Sequence, residues 1–359
     1  MVGHGGDIAR AARLTGIPER RILDFSASIN PLGMPQAAER AIRRQTGRLD
    51  HYPDPFCEGL AGMIARKIGV SPNAVICGNG STELIYLVPR ALRPERVLMP
   101  CPTFSEYERA CRTAGDPEIV FLKLKRRDSF RIDADGFIEA MSGCVRGGGK
   151  SLAFLCNPNN PTAGLVPKDE MRAIAEAAKR LRCRLVVDEA FIDYCPGSSL
   201  VREAAGNPYL IVLRSLTKFY GLAGLRLGYG VFHPSISELI RQKQEPWTVN
   251  SLAQAAGAVL LSDAAYRKRS LRTMAAEKVF MEQGFSRLGI SFLPSSANYY
   301  LLRLKNAQRV IGSLAKKGIL VRDCSNFRGL DATYIRVAVR SRRENARLLR
   351  EMRSLCADS

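Results

Sequence analysis

The stretch Arg214 to Gly230, RSLTKFYGLAGLRLGYG, sets Lys218 among the hydroxyl residues Ser215 and Thr217 and ends on Arg226 inside an apolar run. A solvated surface lysine needs no such setting. A lysine that attacks a carbonyl does, because its amine must shed a proton and meet the carbonyl away from water. Three other segments carry groups that could serve the same chemistry. GNGSTE (78–83) has Gly78 and Gly80 to free the backbone, and Ser81 and Thr82 to offer N–H and hydroxyl donors to an anion at a helix N-terminus. NPNNPTAG (157–164) carries Asn160 in a loop whose turns are set by prolines. VVDEAFIDY (186–194) places Asp188 at the end of an apolar strand, where an unpaired carboxylate is costly and a cationic partner is expected.

These groups need a scaffold that brings them to one edge. Short runs rich in β-branched residues recur at 74–79, 96–100, 119–124, 151–158, 184–190, 209–216 and 225–232, separated mostly by segments of helical character. Continuous apolar strands between helices predict a largely parallel sheet buried on both faces. In such a sheet ligands bind beyond the carboxyl ends of the strands, where all four segments fall. The helix after NPTAGLVP shows its period, with Pro167 near its start, Asp169 and Glu170 in the first turn, and Met171, Ile174, Ala178 and Leu181 on one face. CVRGGGKS (144–151) imitates a phosphate loop, but Cys144 stands in place of the first glycine and a strand follows instead of a helix.

Past EPWTVNSL the pattern changes to long helices, about 250–262 and 264–288, then strands and a final basic helix. The chain therefore divides into an N-terminal segment (1–44) packing on the small domain, a large domain (45–250) and a small α+β domain (251–359). A short first helix capped by Asp7 and stopped near Gly16 opens the N-terminal segment, which is too short to fold alone. At 359 residues two lobes are the default. No apolar run approaches the ~18 residues of a membrane span, so a soluble protein without membrane contact is expected. The N-terminus lacks the apolar core of a secretory signal and ten cysteines lie without a C-x-x-C pair, a pattern that fits the cytoplasm with neither a metal site nor disulfides. A formal charge of +20 raises the question of nucleic acid. The basic residues are spread over helices such as RRENARLLREMRS and are not interleaved with aromatics, so attraction of small anionic substrates is the favoured reading and no nucleic-acid partner is expected.

An anion nest, an asparagine, a buried aspartate, a lysine flanked by hydroxyls and a trailing arginine, in that order across one α/β sheet, meet the needs of pyridoxal 5'-phosphate. The lysine would hold its aldehyde, the aspartate its protonated ring nitrogen and Asn160 its phenolic oxygen. Gly80, Ser81, Thr82, Ser215, Thr217 and Arg226 would hold its phosphate. GNGST, NPNNPT, DEAF and SLTKFYGLAGLRLGY together resemble the fold-type-I pyridoxal phosphate enzymes, the aspartate aminotransferase superfamily, over nearly the whole chain. The resemblance implies an α/β fold-type-I transferase with a mostly parallel central sheet sandwiched by helices and a small α+β C-terminal domain. It also implies that Phe104 or Tyr107 of PTFSEY stacks on the ring. Tyr52 of HYPD would reach the cofactor phosphate of a neighbouring subunit, hence a homodimer with shared sites.

Members of that superfamily differ in how they hold the substrate, and the substrate-facing candidates lie near the termini. HGGDI contributes His4 and Gly5, DFSASINPLG contributes Ser28 and Asn30, and LVRDCSNF and YIRVAVR contribute Arg322 and Arg336 on two neighbouring strands. Two guanidinium groups suit a substrate with two anionic ends, a carboxylate and a second acid such as phosphate. HGG with DFSASINPLG, DEAF and IRVAVRS resembles the threonine-phosphate decarboxylases of cobalamin biosynthesis more than the histidinol-phosphate aminotransferases, the alternative reading. The aminotransferases typically carry tyrosine where this chain has Phe191, which leaves Asn160 alone on the phenolic oxygen. The decarboxylases usually read SANINPLG, so Ser28 is a departure that bears on substrate choice. The implied reaction converts L-threonine O-3-phosphate to (R)-1-amino-2-propanol O-2-phosphate and carbon dioxide. Arg336 would take the carboxylate, and His4, Gly5 and Arg322 would surround the phosphate.

Overall fold

A computed structural model describes residues 3–146 and 148–356, the side chain of Cys356 excepted. Among the described residues thirteen strands run in chain order as β1 Leu23–Asp24, β2 Val75–Asn79, β3 Arg96–Cys101, β4 Glu118–Lys123, β5 Ser151–Cys156, β6 Arg184–Asp188, β7 Leu210–Ser215, β8 Leu227–Val231, β9 Ser291–Phe292, β10 Tyr299–Arg303, β11 Ile319–Leu320, β12 Arg322–Asp323 and β13 Tyr334–Ala338. Seven of them form the central sheet in the order β2-β8-β7-β6-β5-β3-β4. Each falls on one of the seven expected runs. All its pairings are parallel except those of β8, which runs against both β2 and β7.

The strand interiors are apolar on both sides because both faces are covered. Along β6, Leu185 and Val187 join the core on one face, with Leu155, Ala153 and Val212, while Val186 joins Phe154, Ile211 and Leu213 on the other. The helix Lys168–Arg180 seats Met171, Ile174 and Ala178 in the first of these cores, as its period requires. The cysteines with described side chains are free thiols; Cys356 lies outside them, as Gly147 of the CVRGGGKS segment lies outside the described residues. Among the described residues no helix is long and apolar enough to cross a membrane.

A four-stranded antiparallel sheet, β12-β13-β10-β9, builds the smaller lobe with the 24-residue helix Ala264–Arg287 and the final helix Arg342–Cys356. Its core gathers Phe285, Tyr300, Ile335, Val337 and Leu348, and takes in Phe25 from the N-terminal segment. That segment also adds β1 in parallel to β11. It does not pack on the small lobe alone: Ala38, on the helix Gln36–Gln45, joins the large-lobe core. Ala253, Ala256 and Leu260 of the helix Ser251–Leu260 join that core too, so the large lobe's packing continues past residue 250. The Asp7 side chain caps the helix Ile8–Thr15, and Gly16 closes it in the left-handed region at φ 70°.

One close approach holds the site's edge together. A Cβ at Gly228 on β8 would lie 2.3 Å from the Ser81 nitrogen and 2.8 Å from the Arg214 carbonyl, so only glycine lets β8 pass between the Gly80 turn and β7. Gly228→Ala is expected to lower stability by about 1–3 kcal/mol, the range for overpacking against backbone that cannot yield. A urea melt that leaves the midpoint unchanged would contradict the close packing.

Candidate functional site

The strands end where the sequence places the chemistry. β5, β6 and β7 deliver Cys156, Asp188 and Ser215 to one edge. Because β8 runs antiparallel, its start is at the same edge, and this brings in Arg226. Gly80 turns the chain at φ 72° into the helix Gly80–Leu92. Its N–H donates to the Arg226 carbonyl at 3.0 Å, and a Cβ there would lie 2.6 Å from the Arg226 guanidinium. The helix N-terminus, with Ser81 and Thr82, therefore faces the same space as Arg226. Ser215 Oγ and Thr217 Oγ1 lie 2.6 Å apart in the adjoining wall. A cavity of about 410 Å³ opens among these groups.

Asp188 and Lys218 both line that cavity. The Asp188 carboxylate is buried and accepts the Tyr107 hydroxyl at 2.7 Å and the Ala190 N–H at 3.0 Å. The cationic partner expected from sequence is replaced by these neutral donors, and no ion pair to Asp188 forms among the described residues. Burial pushes its carboxyl above the usual carboxylate range, an effect that Tyr107, Ala190 and the positive charge of Lys218 offset in part. Lys218 moves the other way. Burial, with Arg336 and Arg226 nearby, brings its amine down to about 8, against the pull of Asp188 and Asp24. A buried carboxylate and a half-buried lysine thus share one wall without joining.

Tyr107 is fully buried, stacked on Phe154 with ring centroids 4.9 Å apart, and tied to Asp188. Phe104 is half-buried in the cavity wall, its ring set edge-on to Tyr107. Of the two aromatic candidates, Phe104 keeps the less constrained face. Phe191 is buried against Tyr299 and also borders the cavity.

The small lobe supplies the opposite wall. Arg322 and Arg336 are direct register partners on β12 and β13, both buried and both lining the cavity. Arg336 donates to the Asn160 side-chain oxygen and, at 3.0 Å, to the Ser26 carbonyl, and its guanidinium lies over the Tyr299 ring. Its Nε is buried with no partner. Arg322 donates to Asn326 at 2.8 Å and sits over Phe327; burial pushes it below the ordinary guanidinium value. His4 and Gly5 reach the same cavity, and Ser28 offers a buried hydroxyl with no partner.

Two candidates stand elsewhere. Asn30 does not border the cavity: its amide donates to the Phe219 carbonyl at 2.7 Å and to Ser270 at 2.9 Å, and its N–H to the Lys218 carbonyl at 3.1 Å. It secures the Lys218 loop from behind instead of facing substrate. Tyr52 is 84% exposed, beside Trp247 and away from the cavity of its own chain. Sequence reasoning passed over Glu106 and Ser26, which both border the cavity. A glutamate in the first turn of a helix reads as a solvated charge, and only its burial at 6% exposure distinguishes it.

Comparison with known proteins agrees with this architecture. Residues 20–352 match the family described as aminotransferase class I and II. The threonine-phosphate decarboxylase of Salmonella typhimurium is 38% identical over 98% of this chain and 96% of its own length. The crystal structure of the histidinol-phosphate aminotransferase from Clostridium acetobutylicum superposes with a TM-score of 0.86 at 30% identity, over 94% of this chain and all of the other. That of L-threonine-O-3-phosphate decarboxylase from Porphyromonas gingivalis gives 0.81 at 27% identity, over 93% and 99%. With its sheet order, its edge of charged groups and a match over most of its length, this chain belongs to the class I and II aminotransferase family.

Proposed function

We propose that the protein is a pyridoxal phosphate-dependent decarboxylase that converts L-threonine O-3-phosphate to (R)-1-amino-2-propanol O-2-phosphate and carbon dioxide, for cobalamin biosynthesis. The observation that carries the reading is the pair Arg322 and Arg336, buried side by side in register and lining the same cavity as Lys218. Two dehydrated guanidinium groups in one small cavity call for a ligand with two anionic ends.

The residues present suit the cofactor. Among the described residues the hydrogen bonds to this buried carboxylate come from neutral donors and no cation pairs with it, a place that a protonated ring nitrogen would fill. Lys218 would anchor the aldehyde and Asn160 would bond the phenolic oxygen, with Phe104 beside the ring. Ser81, Thr82, Ser215, Thr217 and Arg226, with the Gly80 turn, would cradle the phosphate. Bound there, pyridoxal phosphate supplies an electron sink conjugated to the substrate Cα, which accepts the electron pair left when carbon dioxide departs.

The chain's own residues decide which bond breaks. Arg336, held by Asn160 and the Ser26 carbonyl with Nε left over, binds the carboxylate and keeps its direction fixed. Arg322 and His4 bind the phosphate end. Lys218, whose amine burial and the neighbouring Arg336 and Arg226 bring down to about 8, stands in the cavity wall as the group that delivers the proton Cα takes up. The Ser28 hydroxyl, buried and unpartnered, faces the same space and offers a further contact to substrate or water.

Tyr52, exposed beside Trp247, supports a homodimer in which this phenol completes the phosphate cradle of the second subunit. Free thiols throughout the described residues support a place in the reducing cytoplasm.

Three outcomes are expected. Purified protein releases carbon dioxide from threonine phosphate and forms no glutamate from histidinol phosphate plus 2-oxoglutarate; the reverse result would assign it to the aminotransferases. The rate at which cofactor-free protein captures pyridoxal phosphate, followed by visible absorption, rises about tenfold per pH unit below 8 and levels off above it, because the depressed Lys218 amine is then neutral; Lys218→Ala yields no borohydride-fixed adduct. A rise that continues past pH 10 would mean an unperturbed lysine. Mixing inactive Lys218→Ala with weakly active Tyr52→Ala restores up to a quarter of wild-type turnover, roughly the share of intact sites in randomly reassorted dimers. No recovery would place Tyr52 outside any shared site.

A further inference from the structure

We infer that Glu106 is a positioning residue for the phosphate end of the substrate, acting through His4 and fastening the N-terminal segment to the large lobe. This rests on the decarboxylase reading above. Glu106 opens the helix Glu106–Thr113, yet its carboxylate is buried in the cavity wall instead of solvated. Both its oxygens are engaged. Oε1 lies 2.9 Å from His4 Nε2, and Oε2 accepts the Tyr86 hydroxyl at 2.6 Å. Arg109 approaches only to 3.9 Å and is largely exposed, so the imidazole and the phenol are what hold this carboxylate in place.

His4 has no comparable support of its own. It belongs to a short irregular stretch ahead of the helix Ile8–Thr15, its side chain 44% exposed. The stretch is otherwise tied to the rest of the N-terminal segment and to the small lobe: Gly6 N–H donates to Ser26 Oγ at 2.8 Å, and Asn326, which accepts from Arg322, donates to the Gly3 carbonyl at 3.3 Å. Gly5 runs so close to Ser26 that a Cβ would lie 2.2 Å from its carbonyl oxygen. The Ser26 carbonyl is also an acceptor for Arg336. The stretch therefore touches, at one remove, both arginines that face the substrate. Glu106 is its hydrogen-bonded link to the large lobe, beside the Phe104 ring whose centroid lies 6.0 Å from that of the imidazole.

The chemistry follows from the inventory of an imidazole. With Nε2–H donated to Glu106, the other nitrogen is free for the ligand, and it donates to a phosphate oxygen only when the ring is an imidazolium. A carboxylate on Nε2 fixes the plane of the ring, as carboxylates do for histidines elsewhere. Glu108, two residues on, pairs with Arg328 at 3.1 Å, so the same helix turn also holds the loop that follows Arg322.

The test measures threonine phosphate binding by spectral titration of the cofactor-loaded protein, alongside steady-state kinetics. Glu106→Ala should raise Kd and KM for threonine phosphate about tenfold, the size of a lost charge-assisted contact, with kcat held within about twofold and cofactor retention unchanged. Glu106→Gln, close in shape and so a safeguard against misfolding, should raise them severalfold. His4→Ala should match Glu106→Ala, and the double variant should be no worse than His4→Ala, because the two act as one unit. Unchanged binding in Glu106→Gln, or effects of the two single variants that multiply, would overturn the inference. A wild-type protein that shows no response to threonine phosphate would overturn the decarboxylase reading itself, a distinct result.

Discussion

A carboxylate buried without a cation is the constraint around which this site is built. Asp188 sits at the end of β6, held by a phenol and one backbone N–H, and burial lifts its proton affinity. Lys218 is dehydrated in the same wall and pushed toward neutrality by two arginines. Burial works against the charged state of both groups, and in the proposed arrangement a positively charged ring nitrogen with an aldehyde would relieve both at once. The apolar strands that carry the two groups sustain this mismatch, because a low local polarity stabilises neither charge.

That tension depends on backbone approaching backbone. β8 enters against its neighbours, and glycine at 228 lets it pass within contact distance of the Gly80 turn. Its reversal brings Arg226 to an edge otherwise reserved for the ends of parallel strands, so the anion nest gains a guanidinium from a strand's beginning. Asn30 works on the far side of the same loop, holding Lys218 by backbone and by amide bonds to Phe219 and Ser270.

The two lobes meet through the N-terminal segment. Phe25 lies in the small-lobe core and Ala38 in the large one, and between them run Ser26 and Ser28 along the cavity. A segment of this kind fixes substrate-facing groups relative to cofactor-facing ones, which come from different lobes. Its carbonyl at Ser26 orients Arg336, which on the proposed reading holds the substrate carboxylate and so sets which bond is exposed to cleavage.

Local pattern was enough to read the seven strands, the Lys168–Arg180 helix, the Asp7 and Gly16 caps, and the clustering of Lys218, Asp188, Asn160 and Arg226 at one edge, since apolar runs, caps and glycine turns are encoded within a few residues of each other. The pairing of Arg322 with Arg336 was legible as two short strands in succession. Other roles came only with the fold. Tyr107 serves Asp188 from 81 residues away and Glu106 serves His4 from 102 residues away, and Asn30 turns from the cavity to brace the lysine loop. A side chain's type states which bonds it can make, but whether a first-turn glutamate meets solvent or an imidazole is decided by what long-range packing brings against it. For that reason the chemistry was written in the chain, and the assignment of partners was settled by the tertiary structure alone.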